Sequence, residues 1–428
     1  GSAVFGMIRA RRVKSMPSCR ACGTSLEPFM TFGPMPIANG FVHPDKAQTD
    51  DYRFDLTPAV CTTCNLFQLM EQPDPEMMFH DEYAFFSQTS SHMAIHFEAF
   101  ANDVINRWFS SRPDPFVVEL GSNDGIMLKH FAAKNVRHLG VEPSANVAAA
   151  ARKNGVDSLV EFFSEGVAKQ IVEKHGQADA LLAANVMCHI SDIKSVAQGI
   201  NILLKQDGLF IFEDPYLGEV LQKGSFDQIY DEHVFLFSLL SVTALFSGYN
   251  LEVVDVAPQS VHGGSMRYTL ARPGVHSQSP SLKATLSLED DLGMSDHKTY
   301  VEFSKRCKNT GRNLKQLLTN LSHEQKNVAG YGATSKSTTV LNYCGIGPDL
   351  IRYISDTTPT KQGKLTPGTH IPIRTYETFL SEYPDYAVLF AWNHEEEILA
   401  KESEYLAHGG KFIRFFPTVE IIETDENS

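Results

Sequence analysis

Long apolar runs are missing from this 428-residue chain: none reaches the roughly eighteen residues that a membrane-spanning helix needs. Its first residues also lack the apolar core of a secretory signal, so neither membrane insertion nor export is supported. Positive charge is in deficit, with 37 Lys and Arg against 51 Asp and Glu and a formal net charge of −14. That balance speaks against a nucleic-acid partner, because phosphate backbones are held by clustered Lys and Arg. A pocket for one small phosphorylated ligand is compatible with it, since one or two cations suffice for a diphosphate. Internal repeats and low-complexity tracts are absent as well. Cysteine is sparse and odd in number, seven in all, and with the spacing described next it fits a reducing cytoplasm. What the chain does have is a 43% hydrophobic content, ample for buried cores, and a length that suggests two to four domains.

Four of the seven cysteines form two Cys-x-x-Cys pairs, Cys19/Cys22 and Cys61/Cys64. Two such knuckles brought together supply the tetrahedral sulfur set of a structural zinc, with no position left for substrate. The competing reading is two redox or unrelated dithiols. Residues 1–15, with Arg9, Arg11, Arg12 and Lys14, read as an expression scar and basic leader outside the fold. Cys188, Cys307 and Cys344 read as small buried hydrophobes.

Beyond a helix predicted over 92–109, short apolar runs alternate with helical sequence: 116–120, 138–141, 180–184 and 209–212 as strands, 126–134 and 145–154 as helices. Such alternation implies a parallel sheet covered on both faces. The runs 251–256 and 266–271 read as an antiparallel edge hairpin. Polar helical sequence over 277–325 leads into a second, smaller alternation, with strands over 327–331, 351–355, 386–391 and 411–416 and a helix over 395–408.

The first strand ends in Glu119-Leu120-Gly121-Ser122-Asn123-Asp124-Gly125, and Glu142 follows the second strand about twenty residues later. Small residues at such a turn let an extended ligand approach the backbone, and an acidic group at that distance can accept from both ribose hydroxyls. The spacing serves NAD or S-adenosylmethionine. A dinucleotide site wants Gly-x-Gly-x-x-Gly, which is missing, and polar Asn123 and Asp124 suit an amino-acid ammonium better than a diphosphate.

The stretch Ser225-Phe226-Asp227-Gln228-Ile229-Tyr230-Asp231-Glu232-His233-Val234-Phe235-Leu236-Phe237-Ser238 carries the most specific signal. Together with Glu213-Asp214-Pro215-Tyr216, Val261-His262-Gly263-Gly264, Gly330 to Lys336 and the four cysteines, it resembles the zinc-containing sugar C-methyltransferases. These act at C-3 of nucleotide-linked 4-keto-deoxysugars with S-adenosylmethionine, and the resemblance runs from about Pro17 to Ile422. It implies an α/β protein of three parts: a zinc domain over 16–78, a central class I methyltransferase domain over 79–272, and a second Rossmann-like domain over 273–422 that anchors the nucleotide sugar, with a tail over 423–428. The first-motif turn departs from the family's Glu-x-Gly-x-Gly-x-Gly, Asn123 standing at the middle glycine. A monomeric cytoplasmic enzyme is expected; an NAD-dependent sugar epimerase and a zinc-ribbon nucleic-acid methyltransferase are the alternatives.

Site roles follow from the same resemblance. It places His233, Tyr230, His189 and Tyr83 in catalysis, and Glu119, Gly121, Ser122, Asn123, Asp124, Glu142 and Asn185 around the cofactor. Glu232, Tyr331, Ala333, Thr334, Lys336 and Asn393 are placed with the nucleotide sugar. The chemistry suits them, because carbon alkylation needs a carbanion, and a sugar C–H is acidic enough only beside a carbonyl. Neutral His233 can accept that proton directly or through water. On a helical turn Tyr230 would share its face and donate to the developing enolate oxygen.

Overall fold

The computed structural model describes residues 17–48, 52–78 and 91–423. Tyr83, the leader and the tail beyond 423 lie outside them.

The cysteine module holds four very short strands. β1 (Pro34–Pro36) pairs antiparallel with β2 (Arg53–Asp55), and β3 (Pro58–Val60) with β4 (Phe67–Leu69). Two three-residue strands are too little to stand alone. Their sheet gains its third strand from far along the chain: β10 (Phe235–Leu236) pairs antiparallel with β4, in the order β10-β4-β3. The long motif is thus built into the cysteine module's own sheet.

The central sheet contains β5 (Phe116–Leu120), β6 (Arg137–Val141), β7 (Ser158–Leu159), β8 (Ala178–Ala184), β9 (Leu204–Pro215), β11 (Glu252–Gln259) and β12 (Ser265–Ala271). Its order is β11-β12-β9-β8-β5-β6-β7, parallel except for β12. Every residue of β5 is buried and β8 is buried through Ala183, as strands covered on both faces require. The expected edge hairpin is present. The third unit has the order β15-β14-β13-β16-β17-β18, from β13 (Val328–Tyr331), β14 (Ile354–Ser355), β15 (Ile373–Arg374), β16 (Tyr386–Leu389), β17 (Lys411–Arg414) and β18 (Glu420–Ile422). Numbered within this unit that is 3-2-1-4-5-6, the doubly wound Rossmann order, with only the last strand antiparallel. The helix expected over 395–408 is broken into Glu395–Lys401 and Ser403–Ala407. Glu402 sits at the break, buried, where it accepts a hydrogen bond from the Tyr331 hydroxyl at 2.5 Å.

One apolar core runs through all three units. Phe226 of the motif packs on Phe32 of the cysteine module at 5.9 Å and meets Tyr343 and Phe416 of the third unit at 5.6 and 5.2 Å. A buried carboxylate fixes the motif's far end: Glu289 accepts the first amides of the helix Leu239–Ser247, from Leu239 at 2.6 Å and Leu240 at 3.0 Å, and the Tyr216 hydroxyl at 3.0 Å. Replacing Glu289 by Ala strands these donors out of water, so a loss of about 1–3 kcal/mol is expected, read as a lower unfolding midpoint. An unchanged midpoint would show that the cap is dispensable.

Candidate active site and zinc centre

The four sulfurs of Cys19, Cys22, Cys61 and Cys64 all lie within 4.8 Å of one another. Cys19 and Cys64 are 3.6 Å apart, and Cys22 and Cys61 3.4 Å. Zinc bonds of about 2.3 Å in a tetrahedron hold sulfurs roughly 3.8 Å apart, whereas a disulfide needs about 2.05 Å; the set fits zinc. Gln68 on β4 supports it, donating its side-chain amide to Cys19 Sγ at 3.1 Å while its carbonyl accepts the Arg20 amide at 3.0 Å. The knuckle is therefore locked to β4, and the Leu69 amide at the end of β4 donates to the Val234 carbonyl at 2.9 Å. Val234 is the neighbour of His233.

The motif itself is not helical. Phe226–Gln228 makes a short 3-10 turn, and the chain then folds back so that the His233 amide donates to the Tyr230 carbonyl at 3.0 Å. This turn, in place of the helical turn expected from the three-residue spacing, still brings the side chains together: Tyr230 Oη and His233 Nε2 are 3.3 Å apart. His233 Nδ1 donates to the Gln228 carbonyl at 2.7 Å, which leaves the lone pair on Nε2. His189 is held the same way, Nδ1 donating to the Glu232 carbonyl at 2.6 Å, and its ring lies 5.4 Å from that of His233. Burial lowers both imidazoles' affinity for protons, and for His233 the nearby His189 and the Lys336 ammonium lower it further. Both are neutral bases at neutral pH.

Two outside elements grip this turn. From the cysteine module, the Ala38 amide donates to Asp231 Oδ1 at 2.9 Å and the Asn39 side chain to Glu232 Oε1 at 2.6 Å. From the third unit, the Thr338 and Thr339 hydroxyls donate to the Ala38 and Ile229 carbonyls at 2.9 and 2.8 Å, and Trp392 Nε1 to Asp227 Oδ2 at 2.7 Å. Burial pushes Asp231 up to about 7 and Asp227 up to about 6, the Lys336 ammonium restraining the latter. Burial also raises Glu232, against the pull of Asn39 and Lys361. None of the gripping residues 38, 39, 338, 339 and 392 carries a local sequence signal.

The residues expected around the cofactor gather at the carboxyl ends of β5, β6 and β8. Gly121 has φ +63°, and a Cβ there would stand 2.4 Å from Val186, so the two turns abut without space for a side chain. Glu142 accepts the Asn123 and Ser144 amides, one on each oxygen, both at 2.9 Å, and the Asp124 amide donates to Asn123 Oδ1 at 2.8 Å. Glu119 Oε2 and Asn185 Oδ1 are buried with no hydrogen-bond partner among the described residues, and so is the Ser122 hydroxyl. Burial, then the charges of Glu142 and Asp124, push the Glu119 carboxyl well up. Such a site fits S-adenosylmethionine: Glu119, Asn185 and Ser122 would hold it through their open polar atoms, and its ammonium would relieve the clustered carboxyls. A buried network missed by sequence reasoning lies beside it. Glu213 pairs with His96 and, at 2.8 Å, with Arg267; burial pushes Glu213 up, but these two partners hold it below the usual carboxylate range.

The residues expected to hold the nucleotide sugar are less gathered. Lys336 faces the motif, its charge felt by Asp227, His233 and His262. Ala333 is tied through its amide to Asp356 and through its carbonyl to Lys361, at 2.7 and 2.8 Å. The Thr334 hydroxyl accepts the Ser337 amide at 3.1 Å, and half-buried Asn393 follows Trp392 in a short turn. Tyr331 points elsewhere: its ring packs on Phe379 and Phe412 at 5.3 and 5.7 Å. Zinc loss is expected for Cys61→Ser by metal analysis, together with lower turnover because β4 carries β10. Full occupancy in that variant would contradict the ligand set.

The chain is 35% identical over 416 residues to C-methyltransferase NovU of Streptomyces niveus, a match spanning 96% of this chain and 98% of that protein. Three family descriptions match in order along it: "Putative zinc binding domain" over residues 19–79, "Methyltransferase domain" over 93–256, and "C-methyltransferase C-terminal domain" over 260–417. Solved structures similar to part of it include magnesium protoporphyrin IX methyltransferase of Synechocystis PCC 6803 with bound SAM, 11% identical, at a TM-score of 0.33 over 45% of this chain and 86% of that one. Another is an S-adenosylmethionine-dependent methyltransferase of Clostridium acetobutylicum ATCC 824, 10% identical, at a TM-score of 0.33 over 42% and 92%. Since the similarity to NovU runs nearly end to end and the cysteine cluster and methyltransferase fold both lie within it, the chain belongs to the zinc-containing, S-adenosylmethionine-dependent C-methyltransferases.

Proposed function

We propose that this C-methyltransferase acts at C-3' of a nucleoside-diphosphate-linked 4-keto-6-deoxysugar, with His233 as the base that removes the C-3' proton. The observation that carries the reading is the Tyr230–His233 pair, buried to 6% and 2% exposure with Oη and Nε2 3.3 Å apart. Its tautomer is fixed by the Gln228 carbonyl, so Nε2 is an acceptor before substrate arrives. The C-3' electron pair moves toward the C-4' carbonyl as the proton leaves. Tyr230 is the donor for the negative charge that gathers on that oxygen, a role in which burial strengthens the bond. Bound S-adenosylmethionine supplies the electrophilic methyl group.

The remaining roles are extensions of the same geometry. His189 flanks the base, whose affinity for a proton is lowered first by burial and then by its His189 and Lys336 neighbours. Glu232, oriented by Asn39, is proposed to receive a sugar hydroxyl, and Tyr83 to lie against the sugar. Lys336 supplies positive charge for the diphosphate, with Thr334, Ala333 and Asn393 proposed around the nucleotide, while Tyr331, packed on Phe379 and Phe412, is left out of it. The alternating Rossmann order places β13 at the switch point of that sheet, where ligands of doubly wound folds bind.

The deciding experiment incubates the enzyme with S-adenosylmethionine and a panel of nucleotide 4-keto-sugars and identifies product by mass spectrometry. A product heavier by one methyl, mapped to C-3', is expected; methylation on oxygen or nitrogen would overturn the reading. His233→Asn is expected to lower turnover about 10²–10⁴-fold while the protein still binds S-adenosylhomocysteine. Tyr230→Phe removes one enolate donor and is expected to cost about 10²–10³ in kcat. Normal kcat in folded His233→Asn would dismiss it as the base.

A further inference from the structure

Cys188 is more than a buried filler. Its sulfur and one ring nitrogen each of His189 and His233 lie within 4.8 Å of one another. Both histidines present features of metal ligands. Each spends Nδ1–H on a backbone carbonyl, of Glu232 and Gln228 respectively, and that outer bond fixes the tautomer whose other nitrogen carries the lone pair. Asp214 sits against this residue: its Oδ2 accepts the Cys188 backbone amide at 3.1 Å, and its Oδ1 is buried without a partner among the described residues. His189 is only half-buried, which leaves an approach for an ion from outside. Two imidazoles and a thiol are a soft set that selects zinc or its neighbours over magnesium or calcium.

We infer that Cys188, His189 and His233 form a second, inhibitory site for zinc-like transition metals, separate from the four-cysteine centre. Binding replaces the thiol proton, which leaves to buffer, by a metal–sulfur bond and adds two metal–nitrogen bonds; no electron is transferred. The side chains close from their present spacing toward the roughly 3.3–3.8 Å that bonds of 2.0–2.3 Å impose. Inhibition follows because the ion occupies the His233 lone pair that the proposed mechanism needs. That consequence rests on His233 as the base; the binding itself does not.

The test uses the full protein with its four-cysteine zinc in place. After added Zn²⁺ and gel filtration, metal analysis is expected to find one further equivalent on the wild type and none on Cys188→Ser. Methyl transfer is expected to fall as free Zn²⁺ rises and to recover with chelator, and Cys188→Ser to need at least tenfold more zinc for the same loss. Added Co²⁺ is expected to give a thiolate-to-cobalt charge-transfer band on the wild type, a readout that holds even if the variant folds poorly. No further equivalent and no band would overturn the site. Binding without inhibition would leave the site standing and remove His233 from the role of base.

Discussion

The turn over 229–234 has no regular structure of its own, and the proposed chemistry depends on its being held. Several of its polar groups are paired from outside: one oxygen each of Asp231 and Glu232 by Ala38 and Asn39, the Ile229 carbonyl by Thr339, and the following two residues by β4, while Trp392 holds the neighbouring Asp227. Buried polar groups left unpaired cost about 1–3 kcal/mol each, so the turn keeps this shape only while both neighbours are docked. The reward for burial is chemical. It leaves a neutral imidazole with a fixed tautomer beside a tyrosine hydroxyl, the pair proposed as base and donor.

This arrangement gives the zinc a defined structural task. The metal joins two knuckles, Gln68 ties one knuckle to β4, and β4 carries β10 and the Val234 carbonyl. The zinc that the four cysteines would hold is linked through Gln68 and β4 to Val234, next to the proposed base. Both the cysteine module and the third unit reach the segment around the site through hydrogen bonds from Ala38, Asn39, Thr339 and Trp392. Three units therefore contribute to one centre, and their shared core around Phe226 makes them fold against each other rather than as separate beads.

Much of this was legible in the sequence because its signals are local. The Cys-x-x-Cys spacing, the strand alternation and the glycine turn with Glu142 twenty residues on each lie within one or two elements, where period and spacing report geometry directly. The long motif is recognisable as a family signature, and its three-residue spacing implies the Tyr230–His233 proximity, although through a helical turn that does not form. What sequence could not show are contacts across long separations. Ala38 meets Asp231 193 residues away, and Thr338 meets Ala38 across 300; no period encodes such pairs. The same holds for Glu213 with His96 and Arg267, and for the place of Cys188 between two histidines, which composition alone read as core packing.

Whether the zinc module holds the turn over 229–234 is tested most directly by amide hydrogen exchange measured before and after chelation of zinc. Peptides covering 229–238 are predicted to lose protection together with those covering β3 and β4, while the strands of the central sheet stay protected. Removal of zinc with unchanged exchange across 229–238 would contradict the account, because the turn would then be held without the module.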